Sequence, residues 1–159
     1  MFLVAPTGTV AAHPVPPLTA FDIWPPLAIQ RALWAADGIG ADRCAVMARA
    51  AGAKTALLGR RDGRPTGAGF VAVAGDIAMV HALTVPAADR RRGLARAMMA
   101  HAARWAARQG AVWMAVAVTR ENAAARALYA TLGMAEVGSY RYRQAASAHP
   151  AQQHATPCG

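Results

Sequence analysis

A chain of 159 residues, 55% of them hydrophobic, is long enough for one domain with a sizeable core and crowded for two. Its formal net charge of +9 favours polyanions, although arginine and alanine richness also follows from the base composition of a gene, so charge alone names no partner. Cys44 and Cys158 have neither metal-ligand spacing nor the density of a disulfide scaffold, Met1 to Val10 carries no basic leader, and the longest apolar run, Ala111 to Val118, is too short for a bilayer. A reducing cytoplasm is the expected home, with no membrane partner.

Residues 1–20 are rich in Pro, Ala and Thr without a sustained period and read as a flexible arm holding at most one short strand, Phe2 to Val4. A folded domain is expected over 21–143. Pro25 and Pro26 suit a helix start, Leu27, Leu33 and Trp34 share an apolar face, and Gly38 and Gly40 end that helix. A second helix, Asp42 to Ala50, presents Val46 and Met47 before Gly52. Three strands follow, Thr55 to Gly59, Gly67 to Val73 and Ile77 to Val85, joined by turns at Asp62-Gly63 and Gly75-Asp76 into an antiparallel meander. Gly93 to Gln109 has the period of a helix, with Leu94, Met98, Ala102 and Trp105 inward and Arg96, Arg104 and Arg108 toward water; Gly110 stops it. A buried strand over Ala111 to Val118, a helix from Asn122 to Leu132 and a strand from Ala135 to Tyr142 complete the domain, and residues 144–159 read as a disordered tail. A meander followed by strand, helix, strand, helix, strand predicts an α+β fold in which the strands flanking the long helix run parallel.

The most informative stretch is Arg90-Arg91-Arg92-Gly93-Leu94-Ala95. A strand feeding a small-residue turn at a helix start gathers exposed N–H groups, the positive end of the helix dipole and three guanidinium groups, a combination suited to phosphate or diphosphate. Gly93 lets the backbone approach such a ligand and Ala95 keeps the next turn narrow. The plainer alternative is an ordinary basic helix start. Asn122 and Tyr129 lie two helical turns apart and so project from one face.

Two motifs, Arg90-x-x-Gly93-x-Ala95 and, further on, Asn122-x-x-Ala125-x-x-Leu128-Tyr129-x-x-x-Gly133-Met134, together resemble the GCN5-related N-acetyltransferase (GNAT) superfamily over about Lys54 to Arg143. Met134 departs from the usual Phe. The family's first strand is not evident, which leaves open a shortened N-terminal side or descent from the C-terminal part of a longer protein. The resemblance implies a mixed, mostly antiparallel sheet with flanking helices and a central parallel strand pair around the site of acetyl-CoA. It implies that amides from Arg91 to Arg96 hold the phosphates, that the pantetheine arm pairs with the backbone at Leu83 and Val85, and that Tyr129 protonates the departing thiolate as general acid. Arg90, Arg91 and Arg92 would add charge.

Other roles remain for these residues. Tyr129 is either that acid or a core tyrosine, and Asn122 either a helix cap or a coenzyme contact. His81, on the third meander strand, is either structural or a base that takes the proton of the amine directly or through water; its surroundings, His81-Ala82-Leu83-Thr84-Val85, look similar to a run in serotonin N-acetyltransferases. His101 reads as a packing or surface residue. The implied activity is an acetyl-CoA-dependent N-acetyltransferase without a metal, acting as a monomer or homodimer on a primary amine. The alternatives are a macromolecular acceptor (a protein N-terminus or aminoacylated RNA) and a non-catalytic acyl-CoA or nucleic-acid binding module.

Overall fold

The computed structural model describes residues 1–138. Among these residues one seven-stranded sheet runs in the order β2-β3-β4-β5-β6-β1-β7. Its strands are β1 (Phe2–Pro6), β2 (Ala20–Ile23), β3 (Lys54–Arg61), β4 (Arg64–Ala74), β5 (Ile77–Thr84), β6 (Trp113–Ala117) and β7 (Ala135–Gly138). The helices are α1 (Thr7–Ala11), α2 (Ala28–Ala36), α3 (Ala41–Arg49), α4 (Leu94–Arg108) and α5 (Ala123–Thr131). Every pairing among them is antiparallel except that of β5 with β6, the two strands joined through α4. The expected α+β architecture with a central parallel pair is therefore present.

Turn chemistry built the meander as expected. Asp62 (φ 49°) and Gly63 (φ 76°) both take positive φ, the requirement of the tight two-residue turn that matches strand twist. Helix α4 lies on the sheet with Leu94, Met98, Ala102 and Trp105 buried, as its period required, beside β-strand residues such as Leu57, Val71 and Val80. It comes unusually close where Gly59 of β3 pairs with Gly67 of β4: a Cβ on either would stand 2.5 or 2.7 Å from Met98 Sδ. Replacing Gly67 by valine should lower stability by roughly 2 kcal/mol through overpacking, read as a lower thermal midpoint.

The N-terminal segment corrects the expectation of a flexible arm. Phe2–Pro6 sits inside the sheet, antiparallel to both β6 and β7, with Leu3 and Ala5 buried. Helix α1 then packs on α4 with Val10 fully buried, and Arg104 donates to the carbonyls of Ala11 (3.1 Å) and His13 (2.9 Å) at the C-terminal end of α1. A five-residue apolar run amid prolines carries no long-range signal; its partners, Trp113 to Ala117 and Ala135 to Gly138, lie at the other end of the domain's sequence, and only their exposed backbone edges make it a strand.

Smaller differences are local. Helix α2 starts at Ala28 because the Leu27 N–H donates to Gln30 Oε1 at 2.8 Å, leaving both prolines ahead of it. In α3 Met47 is buried but Val46 is half exposed. His101 of α4 pairs with Asp22 Oδ1 at 2.7 Å, tying the helix to β2. The expected end of the last strand, Tyr142, and the expected tail, residues 144–159, lie outside the described residues.

Candidate active site

The parallel pairing of β5 and β6 ends at Val80 and Val116, so the two strands part and His81 to Thr84 runs on without β6. The ladder to β4 is also irregular here: Ala82 takes φ 51°, the register shifts, and the indole N–H of Trp34 in α2 donates to the Ala82 carbonyl at 2.9 Å. Beside the end of β5 opens a cleft of about 600 Å³. Leu83, Thr84 and Val85 form one wall, the turn before α4 and its first residues a second, and Asn122, Leu128 and Tyr129 a third.

The turn before α4 is shaped for an anion. Arg91 (φ 60°) and Gly93 (φ 83°) both take left-handed backbone, and Gly93 is the N-cap of α4, with no side chain capping the helix. The first N–H groups of any helix lack intrahelical acceptors, so those of Leu94, Ala95 and Arg96 are left for a ligand. A Cβ on Gly93 would meet nothing within 4 Å, which leaves space for one against the backbone. Donors, open space and helix dipole together fit a diphosphate.

The three consecutive arginines divide among separate tasks. Arg90 Nε donates to the Val85 carbonyl at 2.7 Å, and its Nη2 lies 3.9 Å from Asp37, binding the loop to the end of β5. Arg92 leaves the cleft wall and lies 3.9 Å from Asp62 of the β3–β4 hairpin. Arg91 and Arg96 are exposed and border the cleft, with Arg96 Nη2 3.4 Å from Thr131 Oγ1. Sequence reasoning missed Asp37, the C-cap of α2, whose carboxylate also accepts a 2.7 Å hydrogen bond from Thr84 Oγ1. No local pattern marks it, because Thr84 is 47 residues away.

In α5 the Asn122 side chain accepts from the Ala125 N–H at 3.0 Å, so it caps the helix, and it also stands on the cleft wall. Tyr129 is 8% exposed; burial pushes its phenol above 10, and no described residue hydrogen-bonds its hydroxyl. His81 stands elsewhere. It pairs in register with Phe70, whose ring belongs to the cluster formed with Trp34 of α2 and Met47 of α3, and it is absent from the cleft wall. Burial, and then the guanidinium of Arg43, hold its imidazole below 6.5. The cleft thus unites Leu83, Val85, the loop, Asn122 and Tyr129, while His81 faces the α2–α3 side of the same strand. Among the described residues no cluster of His, Cys, Asp and Glu could hold a metal ion, and no helix is long and apolar enough to cross a membrane.

Comparison with known proteins gives this geometry a context. The model of the acetyltransferase (GNAT) family matches residues 21–134. Similar solved structures include a GNAT-family protein from Novosphingobium aromaticivorans (21% identity, TM-score 0.61, covering 84% of this chain and 58% of that one). A GCN5-related N-acetyltransferase from Kribbella flavida is matched at 21% identity and TM-score 0.61, over 84% of this chain and 52% of that one. An aminoglycoside N-acetyltransferase, AAC(6′)-Iy, in complex with CoA is matched at 19% identity and TM-score 0.60, over 79% of this chain and 99% of that one. The chain therefore spans little more than half the length of the first two. No curated protein matches the sequence.

Proposed function

The chain belongs to the acetyltransferase (GNAT) family, and from that premise we propose that it transfers an acetyl group from acetyl-CoA to a primary amine by direct attack on the thioester. The observation that carries this reading is the single cleft joining the uncapped start of α4 to Tyr129. The CoA held by one of the similar structures supports the choice of coenzyme.

In this reading the amides of Gly93 to Arg96 bind the diphosphate, with Arg91 and Arg96 adding positive potential from the rim. The backbone edge that β6 leaves unpaired, at Leu83 of β5 and Val85 just beyond it, takes the pantetheine arm as an added strand, and Arg90 fixes that edge by holding the Val85 carbonyl. Asn122 sets the start of α5, and through it the place of Tyr129 two turns on. As the amine nitrogen bonds to the carbonyl carbon and the C–S bond breaks, the Tyr129 phenol gives its proton to the sulfur. His81, neutral at physiological pH, removes the proton of the attacking amine from the α2–α3 side, directly or through a water.

The test is calorimetry with acetyl-CoA, followed by assay of free thiol over a set of small amines; absence of coenzyme binding by folded protein overturns the reading. The histidine makes a separate forecast. Because its pKa is lowered, the neutral form persists further into acid than in a free imidazole, so the midpoint of the acid limb of kcat/KM should lie below 6.5. That acid limb should vanish in His81→Gln, and a pH–rate profile in which both proteins share it would exclude His81 as base.

A further inference from the structure

The β3–β4 hairpin reaches the phosphate loop. From its β3 limb Arg61 Nη1 donates to the Arg92 carbonyl oxygen at 2.6 Å, across 31 residues of sequence. Asp62 at the turn stands 3.9 Å from both Arg61 Nε and Arg92 Nη2, so one carboxylate sits between the two guanidinium groups. On this side lies a second cavity, of about 560 Å³, lined by Arg61, Asp62 and Arg92; Gly93, Leu94 and Arg96 border both it and the coenzyme cleft. The Arg92–Gly93 peptide is thus part of a partition between two spaces.

A trans peptide points its C=O and the following N–H to opposite sides. Whatever grips the Arg92 oxygen from the hairpin therefore turns the Gly93 N–H toward the cleft. Such a grip is needed, since Gly93 tolerates many backbone conformations, Arg91 holds a strained one, and no side chain caps α4. We propose that Arg61 is a positioning residue: by holding the Arg92 carbonyl it presents the Gly93 N–H to the diphosphate, and so sets affinity for the phosphorylated half of the coenzyme without touching it. The sequence marks Arg61 only as the residue before a turn; its target is set by where the hairpin lands.

This rests on the coenzyme reading above, and the experiment separates the two. Affinities for CoA and for pantetheine, which lacks the diphosphate, are measured on the parent, Arg61→Met, Arg61→Lys and Arg60→Met. The last removes the same charge one residue away, from a side chain that bonds the Gly63 carbonyl instead. Arg61→Met should weaken CoA about tenfold, the scale of one charge-assisted hydrogen bond, and leave pantetheine unchanged. Arg61→Lys should regain part of the loss, and Arg60→Met should stay within about twofold of the parent. Equal CoA affinity in Arg61→Met and the parent overturns the proposal, as does equal weakening of CoA and pantetheine, or a loss in Arg60→Met as large as in Arg61→Met. A parent that binds no CoA overturns the coenzyme reading itself, and this inference with it.

Discussion

Gly93→Val should raise the dissociation constant for acetyl-CoA by about 100-fold or more, the largest binding loss expected of any single substitution here. Two effects act together. At φ 83° a β-branched residue costs about 1–2 kcal/mol of backbone strain, which pulls the turn away from its donor geometry. The new side chain also projects into the space now open beside the N–H groups, where the diphosphate is expected to lie. Folding should survive, because Gly93 is exposed and its Cβ position touches no neighbour. Calorimetry beside a thermal melt checks both statements, and unchanged affinity in a folded variant would move the coenzyme away from this loop.

Tyr129→Phe should lower kcat by about 100-fold or more while leaving coenzyme affinity within about twofold. The ring is part of the main core cluster, so phenylalanine retains the packing and removes only the hydroxyl. That hydroxyl has no acceptor or donor among the described residues, so its loss orphans nothing in the fold. Because burial raises the phenol's pKa above its ordinary value, the parent should retain its acid across the physiological range. Release of free thiol at saturating acetyl-CoA is the readout; equal turnover by mutant and parent would leave Tyr129 a packing residue.

Legibility differed sharply between elements. The Asp62-Gly63 turn and the inward stripe of α4 were readable because each depends on residues within a few positions of one another: positive φ at adjacent residues, or side chains returning to one face every three or four. The start of α4, with its free N–H groups, was readable for the same reason, since a helix exposes its first N–H groups wherever it begins. The short strand at Phe2 to Val4 was readable too, but its place in the sheet was not, because five residues cannot announce the gap between β6 and β7 that they fill. Nor were the roles within the arginine run. Arg90, Arg91 and Arg92 are equivalent as sequence, yet one holds the end of β5, one borders the cleft and one faces a hairpin.

The site shows the same division. Tyr129 and Asn122 could be placed on one helix face from their spacing, and the cleft wall holds both. His81 could be placed on β5, but not on the side away from that wall, because the irregular backbone at Ala82 interrupts the alternation that would have related it to Leu83. Asp37 and Arg61 were missed altogether.

By itself, then, the amino-acid order determined what short-range forces decide: where helices and turns begin, which faces are apolar, and that a row of N–H donors opens α4. The tertiary structure alone decided which backbone edge would accept β1, which carbonyl or carboxylate each arginine would meet, and which space His81 would face. Those outcomes depend on distances between segments remote in the chain, and such distances exist only once the sheet has closed and α4 has packed upon it.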